Sequence, residues 1–134
     1  MHVREMIESH PNVHGRSADA LLRCIQECYA CAQACTSCAD ACLSEPSPPG
    51  LAQCIRLNLD CGDICATTGM IASRMTGSNM EVVHKLIDTC AEACHACESE
   101  CNEHSEMHPH CRICAQACRR RCYEACLSAL PLAH

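Results

Sequence analysis

Six cysteines stand at Cys24, Cys28, Cys31, Cys35, Cys38 and Cys42, separated by steps of 4, 3, 4, 3 and 4 residues. Residues three or four apart on an α-helix are surface neighbours, with Cβ atoms about 5–6 Å apart. Each consecutive pair can therefore offer two sulfurs to one ion. The arrangement returns in Cys90, Cys94, Cys97 and Cys101, and again in Cys111, Cys114, Cys118, Cys122 and Cys126. Cys54, Cys61 and Cys65 form a sparser stripe with steps of 7 and 4. Thiolates are the ligand form of cysteine, and these soft donors select Cu(I), Zn(II) or iron–sulfur clusters.

Alternating steps of three and four also define a heptad seam, the face by which one helix meets its partners. A single buried cysteine reads as packing, because free cysteine behaves as a small hydrophobe. An entire seam of thiols does not. A disulfide framework fits poorly, since neighbours on one continuous helix are badly oriented for bridging.

The elements that must carry these stripes are helical. A single domain suffices for 134 residues. Residues 1–16 read as a polar lead-in with at most a helical turn around Val3, Met6 and Ile7, ended by Pro11 and Gly15. The first helix is expected over 17–43 with Ser17 as its N-cap, followed by a proline-rich turn at 44–50. A second helix over 51–74 stops before Gly77. Ser78 to Glu81 has the form of a capping box for a third helix over 79–106. Pro109 suits the first turn of a fourth, running over 109–130, and 131–134 is a tail. Four helices with short connections make an all-α, antiparallel up-down-up-down four-helix bundle with a cysteine-lined core. Cys31-Ala32-Gln33-Ala34-Cys35 recurs verbatim as Cys114-Ala115-Gln116-Ala117-Cys118, and alanine beside the seam lets backbones approach closely.

Following each stripe to its ends separates two poles. Leu21, Ile71, Met75, Val83, Leu86 and Leu130 should close one end with hydrocarbon, and Met70, Met75 and Met80 read as packing there. The other pole gathers Cys42, Cys101, Cys111, His104, His108 and His110, a rim of imidazole through which metal could pass. Ile25, Ile55, Leu59 and Ile113 read as exposed groups available for contact between subunits.

Charge discriminates among metals. If all 18 thiols ionised around roughly four tetrahedral Zn(II) ions, a net charge of about −10 would remain in a narrow core. A monovalent ion bound at about one per thiolate cancels nearly all of it, and two sulfurs from one helix suffice to hold it. The reading is storage of many Cu(I) ions. A metallothionein-like Zn(II) or Cd(II) buffer is the alternative, although Cys-x-Cys clusters on irregular chain are lacking. An iron–sulfur protein is a further one.

The cysteine stripes on four alanine-rich helices, with an N-terminus that shows no secretory apolar run, resemble the bacterial copper storage proteins in their unexported branch. The resemblance covers residues from about 17 to 130. It implies a homotetramer of bundles, each filled with Cu(I) bound chiefly by the 18 cysteines, with His104, His108 and His110 near the end where ions enter. It implies a cytoplasmic store rather than an enzyme, and the absence of secretory or membrane-length apolar segments agrees. In a reducing cytosol stable disulfides are rare.

Other chemistries find less support. A net charge of −6 disfavours nucleic acid as a partner. Cys24-x₃-Cys28-x₂-Cys31 spells a radical-enzyme cluster motif, but any cysteine heptad generates that string. No βαβ pattern accompanies the Cys-x₂-Cys pairs. Glu92/His95 and Glu81/His84 have di-iron spacing, yet Cys90, Cys94 and Cys97 already occupy the inward face. Arg119, Arg120 and Arg121 read as a solvated basic run.

Overall fold

A computed structural model describes residues 2–13 and 19–129, leaving aside the side chains of Arg120 and Arg121. The expected Ser17 cap and the closing residue Leu130 lie outside the described residues. A short helix α1 (Val3–Glu8) precedes α2 (Asp19–Leu43). A 3₁₀ turn at Pro48–Leu51 leads into α3 (Ala52–Ala72). Then come α4 (Met80–Glu103) and a composite last helix. The latter comprises α5 (Pro109–Gln116), a π segment (Ala117–Tyr123) and α6 (Glu124–Ala129).

Helix α2 packs on α3, α3 on α4, α4 on the composite helix, and the composite helix returns to α2. That ring of neighbours is the antiparallel four-helix bundle. Gly77 takes φ +68° in the turn before α4, a left-handed value that glycine adopts without a Cβ penalty. The capping box does not form: Asn79 is the N-cap and makes no side-chain cap hydrogen bond. Pro109 sits in the first turn of α5, where its missing N–H costs nothing.

The π segment follows from the cysteine spacing. Along Cys114, Cys118, Cys122 and Cys126 the steps are 4, 4 and 4. In an α-helix each step of four overshoots a full turn by about 40°, so three of them would swing Cys126 about 120° off the seam. A π turn accommodates one extra residue and takes back about 100° of that drift. All four cysteines are consequently at most 1% exposed.

The closed pole is greasier than the sequence reading held. Leu21 and Val83 are buried there, and Ile71 and Met75 pack against them. Leu22, Ile25 and Ile87 join them with at most 1% exposure. Ile25 is thus core, not a contact surface, because it sits one residue beyond Cys24 on the broad inward face of α2. Met70 and Met80 are exposed, and Met75 alone of those three packs against the core. The lead-in is part of the fold. Ile7 of α1 is buried, and Val3 and Val13 pack on the core. Arg4 pairs with Asp19 at 3.4 Å, and Asn12 Nδ2 donates to the Met75 carbonyl at 3.3 Å. Tyr29 packs across the helices against Gly69, where a Cβ would lie 3.2 Å from the ring.

Candidate metal centre

All 18 cysteines are free and buried. Their sulfurs form a column down the bundle axis, because four seams of mostly small side chains meet there. Near the closed pole Cys24 and Cys126 stand 3.3 Å apart, and Cys28 lies 3.8 Å from both Cys90 and Cys126. Cys65 bridges at 3.5 Å to Cys90 and Cys94 and at 3.6 Å to Cys122. Further along, Cys31 and Cys118 are 3.4 Å apart, with Cys61 3.9 Å from Cys31. Cys35 lies 3.6 Å from Cys118, 3.7 Å from Cys114 and 3.9 Å from Cys97. At the far end Cys54 meets Cys101 at 3.7 Å, and Cys38 meets Cys111 at 3.9 Å.

These separations suit shared metal ions. With metal–sulfur bonds of about 2.3 Å, sulfurs around one ion lie about 3.8 Å apart when tetrahedral, about 4.0 Å when trigonal and about 4.6 Å when linear. Sets of four sulfurs within 4.8 Å of one another include Cys28/Cys90/Cys122/Cys126, Cys35/Cys97/Cys114/Cys118 and Cys38/Cys42/Cys54/Cys111. Several cysteines belong to more than one set, Cys35 and Cys118 among them, so neighbouring ions would share ligands.

One polar side chain interrupts the column. Asn58 fills the seam position between Cys54 and Cys61 and is fully buried. Its Oδ1 accepts from the thiols of Cys114 at 3.0 Å, Cys97 at 3.1 Å and Cys101 at 3.5 Å. Its Nδ2 donates to Cys54 Sγ at 3.5 Å. As an amide, Asn58 is not one of the soft donors that mark the stripes in sequence. The usable signal was its register, since 54, 58, 61 and 65 restore the 4, 3, 4 rhythm that the cysteines alone obscure.

The three rim histidines are not equivalent. His110 reaches the thiols, with Nδ1 3.5 Å from Cys38, 3.6 Å from Cys111 and 4.0 Å from Cys42. Its Nε2–H donates to Glu45 Oε1 at 3.0 Å. That bond leaves the Nδ1 lone pair facing sulfur, the arrangement by which a carboxylate orients a ligating imidazole. His108 stacks on His110 with ring centroids 5.4 Å apart and pairs with the same Glu45 at 3.4 Å. His104 is turned to Glu100 at 3.1 Å. With Met107, His104 and His108 line a cleft of about 450 Å³ outside the rim. Glu45, which organises two of the imidazoles, was missed in sequence. It stands in the turn after α2, where no periodicity marks it.

Electrostatics differ along the column. Cys42 is pushed up to about 12, first by burial, and burial likewise raises Cys111. Beside them Cys38 is held down to about 6, first by its hydrogen bond with Cys101, with the His110 ring contributing. Burial opposes a charged His110, but Cys38 and Glu45 outweigh it and raise the imidazole above its ordinary value. The rim thus combines one thiol disposed to ionise with an imidazole already oriented by a carboxylate.

The fold and site define a helical bundle whose interior is a column of buried, reduced thiols, a class built to hold many soft metal ions. The chain belongs to the copper storage protein family, whose profile matches residues 17–131. It is similar to the copper storage protein Ccsp of Streptomyces lividans, solved with 10 copper equivalents: 46% identity, TM-score 0.90, covering 96% of this chain and 98% of that one. A five-copper structure of the cytosolic S. lividans protein matches at 50% identity and TM-score 0.81, over 84% of this chain and 93% of that one. An uncharacterised cysteine-rich protein of Bacillus subtilis, YhjQ, is 38% identical over 105 residues, which is 78% of this chain and 91% of that protein.

Proposed function

We propose that this chain stores Cu(I) in the cytoplasm, binding on the order of one ion per cysteine through Cys24, Cys28, Cys31, Cys35, Cys38, Cys42, Cys54, Cys61, Cys65, Cys90, Cys94, Cys97, Cys101, Cys111, Cys114, Cys118, Cys122 and Cys126. The observation that carries this reading is the column of reduced sulfurs, with neighbours at 3.3–3.9 Å and Asn58 as its one polar break. A monovalent cargo neutralises such a column as it fills, whereas divalent ions in four-sulfur sites leave charge behind in a dry interior. Each ion displaces protons from the thiols it binds. The copper-loaded S. lividans relatives support the choice of metal, and their cytosolic description supports the compartment.

Metal is captured at the rim, where Cys38 and the Nδ1 of His110 face each other, with His108 and His104 outside them. From there an ion moves inward by exchange between adjacent sulfurs. The role is that of a store and not of a catalyst. A homotetramer is part of the reading, with exposed Leu59 and Ile113 available at subunit contacts. Light scattering of the intact protein tests that state.

An anaerobic titration of fully reduced protein with Cu(I) tests the function. Saturation near one ion per cysteine, with helicity unchanged, is expected. Saturation at three or four ions overturns it. The four-sulfur sets also suit Zn(II) or Cd(II), so a competition between Zn(II) and Cu(I) for the same protein decides between storage and buffering; retention of Zn(II) against Cu(I) favours the buffer.

A further inference from the structure

The π segment Ala117–Tyr123 forms part of the wall around the sulfur column, and its outer side faces a cleft of about 350 Å³. The cleft is bounded by His95, Glu98, Arg119, Tyr123 and Glu124. His95 follows Cys94 in sequence, Glu98 follows Cys97, Arg119 follows Cys118 and Tyr123 follows Cys122. The cleft lining therefore forms a shell carried by the same helices that carry those thiols.

That shell is unusual for a bundle flank. Glu98 is a nearly buried carboxylate, 8% exposed, that accepts from Asn102 Nδ2 at 2.9 Å. Its outward side is covered by Arg119, whose Nη1 lies 3.7 Å away and whose own side chain is 67% exposed. Above them the His95 ring lies on Tyr123, centroids 5.4 Å apart. The capture route at the histidine rim uses none of these groups. π turns are rare and often found at functional sites, and here one lies beside an ion pair whose Arg119 side is exposed to solvent.

We propose that this wall is a lateral outlet by which stored Cu(I) is handed to an external thiol or imine ligand. Opening of the Arg119–Glu98 pair uncovers the flank of the column, and Cu(I) passes from the sulfurs behind it to the His95 imidazole, a donor that suits copper. One Cys–Cu bond breaks as a bond to the external ligand forms, the freed thiolate takes a proton from solvent, and copper stays monovalent throughout. The inference rests on the Cu(I) storage reading.

Release of Cu(I) from the loaded, full-length protein to bicinchoninate, a bidentate imine chelator whose Cu(I) complex is coloured, tests it. Measurement at high ionic strength removes charge steering of the chelator. Arg119→Ala should speed release about fivefold, the factor expected from losing a partly exposed ion pair. Deleting Arg120 restores alternating steps of four and three along the last helix and straightens the π segment; release should slow by a comparable factor at unchanged capacity. Should the deletion lower helicity, Arg119→Ala alone decides. Full capacity with release unaltered by Arg119→Ala overturns the outlet. Wild type and variants saturating alike at three or four ions overturn the storage reading instead.

Discussion

Replacing Asn58 by aspartate exchanges one nitrogen for oxygen and puts an ionisable carboxyl where the column is fully buried. The surrounding groups are three thiols donating to Oδ1 and one sulfur accepting from Nδ2. None is a cation. A carboxylate there would be unpaired, so the folded apo variant keeps the new carboxyl protonated, whereas the unfolded chain ionises it near pH 3.9. At pH 7 holding that proton costs about 4 kcal/mol, from about 1.36 kcal/mol for each of roughly three pH units. For a domain of this size the melting temperature of apo Asn58→Asp should fall by about 15 °C. The sign follows from the raised folded pKa. The penalty grows as pH rises above the unfolded value and shrinks toward zero as pH approaches 4. Thermal melts of apo wild type and variant from pH 4 to 7 read it directly. Cu(I) loading should restore much of the lost stability, because monovalent ions beside the carboxylate supply the missing charge. Asn58→Leu, uncharged and branched at the same atom, should show no such pH dependence, whatever its larger volume costs in packing. An Asn58→Asp melting temperature that matches wild type at pH 7 would refute the dry, charge-intolerant column on which the preference for a monovalent metal depends.

Three further outcomes follow from the same geometry. Apo protein should lose stability above pH 9, as the raised thiols, Cys42 at about 12 among them, withhold ionisation that the unfolded chain undergoes; melts across that window check it, and loaded protein should not show the loss. His110→Ala should slow the first phase of Cu(I) uptake in stopped-flow mixing more than His104→Ala does, since only His110 reaches Cys38, Cys42 and Cys111; equal effects would contradict the assigned rim. Leu22→Ala, in the hydrocarbon pole and 1% exposed, should cost about 3 kcal/mol in denaturant unfolding while leaving Cu(I) capacity unchanged.

The helical bundle and the inward cysteines were legible in the sequence because spacing along a helix fixes which residues share a face. Steps of four and three keep Cys24 through Cys42 on one side whatever the partner helices are. Charge then argued for a monovalent metal without coordinates. The same periodicity held the signal for the π segment, since three steps of four after Cys114 cannot stay on one face of an α-helix, and for Asn58, which fills the missing seam position. Other features depended on packing between helices. Ile25 is buried because the inward face of α2 is wider at the closed pole than a two-residue seam. His110, His108 and His104 look alike in sequence, yet only the turn after α2 brings Glu45 to orient His110 toward sulfur. The docking of α1 rests on the burial of Ile7, on Arg4 meeting Asp19, and on Asn12 just beyond it meeting Met75. Spacing within one helix encodes direction around its axis, so the sequence alone determined which side chains face inward. Depth along the bundle, and which neighbour each sulfur or imidazole meets, come from the relative register of separate helices, and only the tertiary structure decided those.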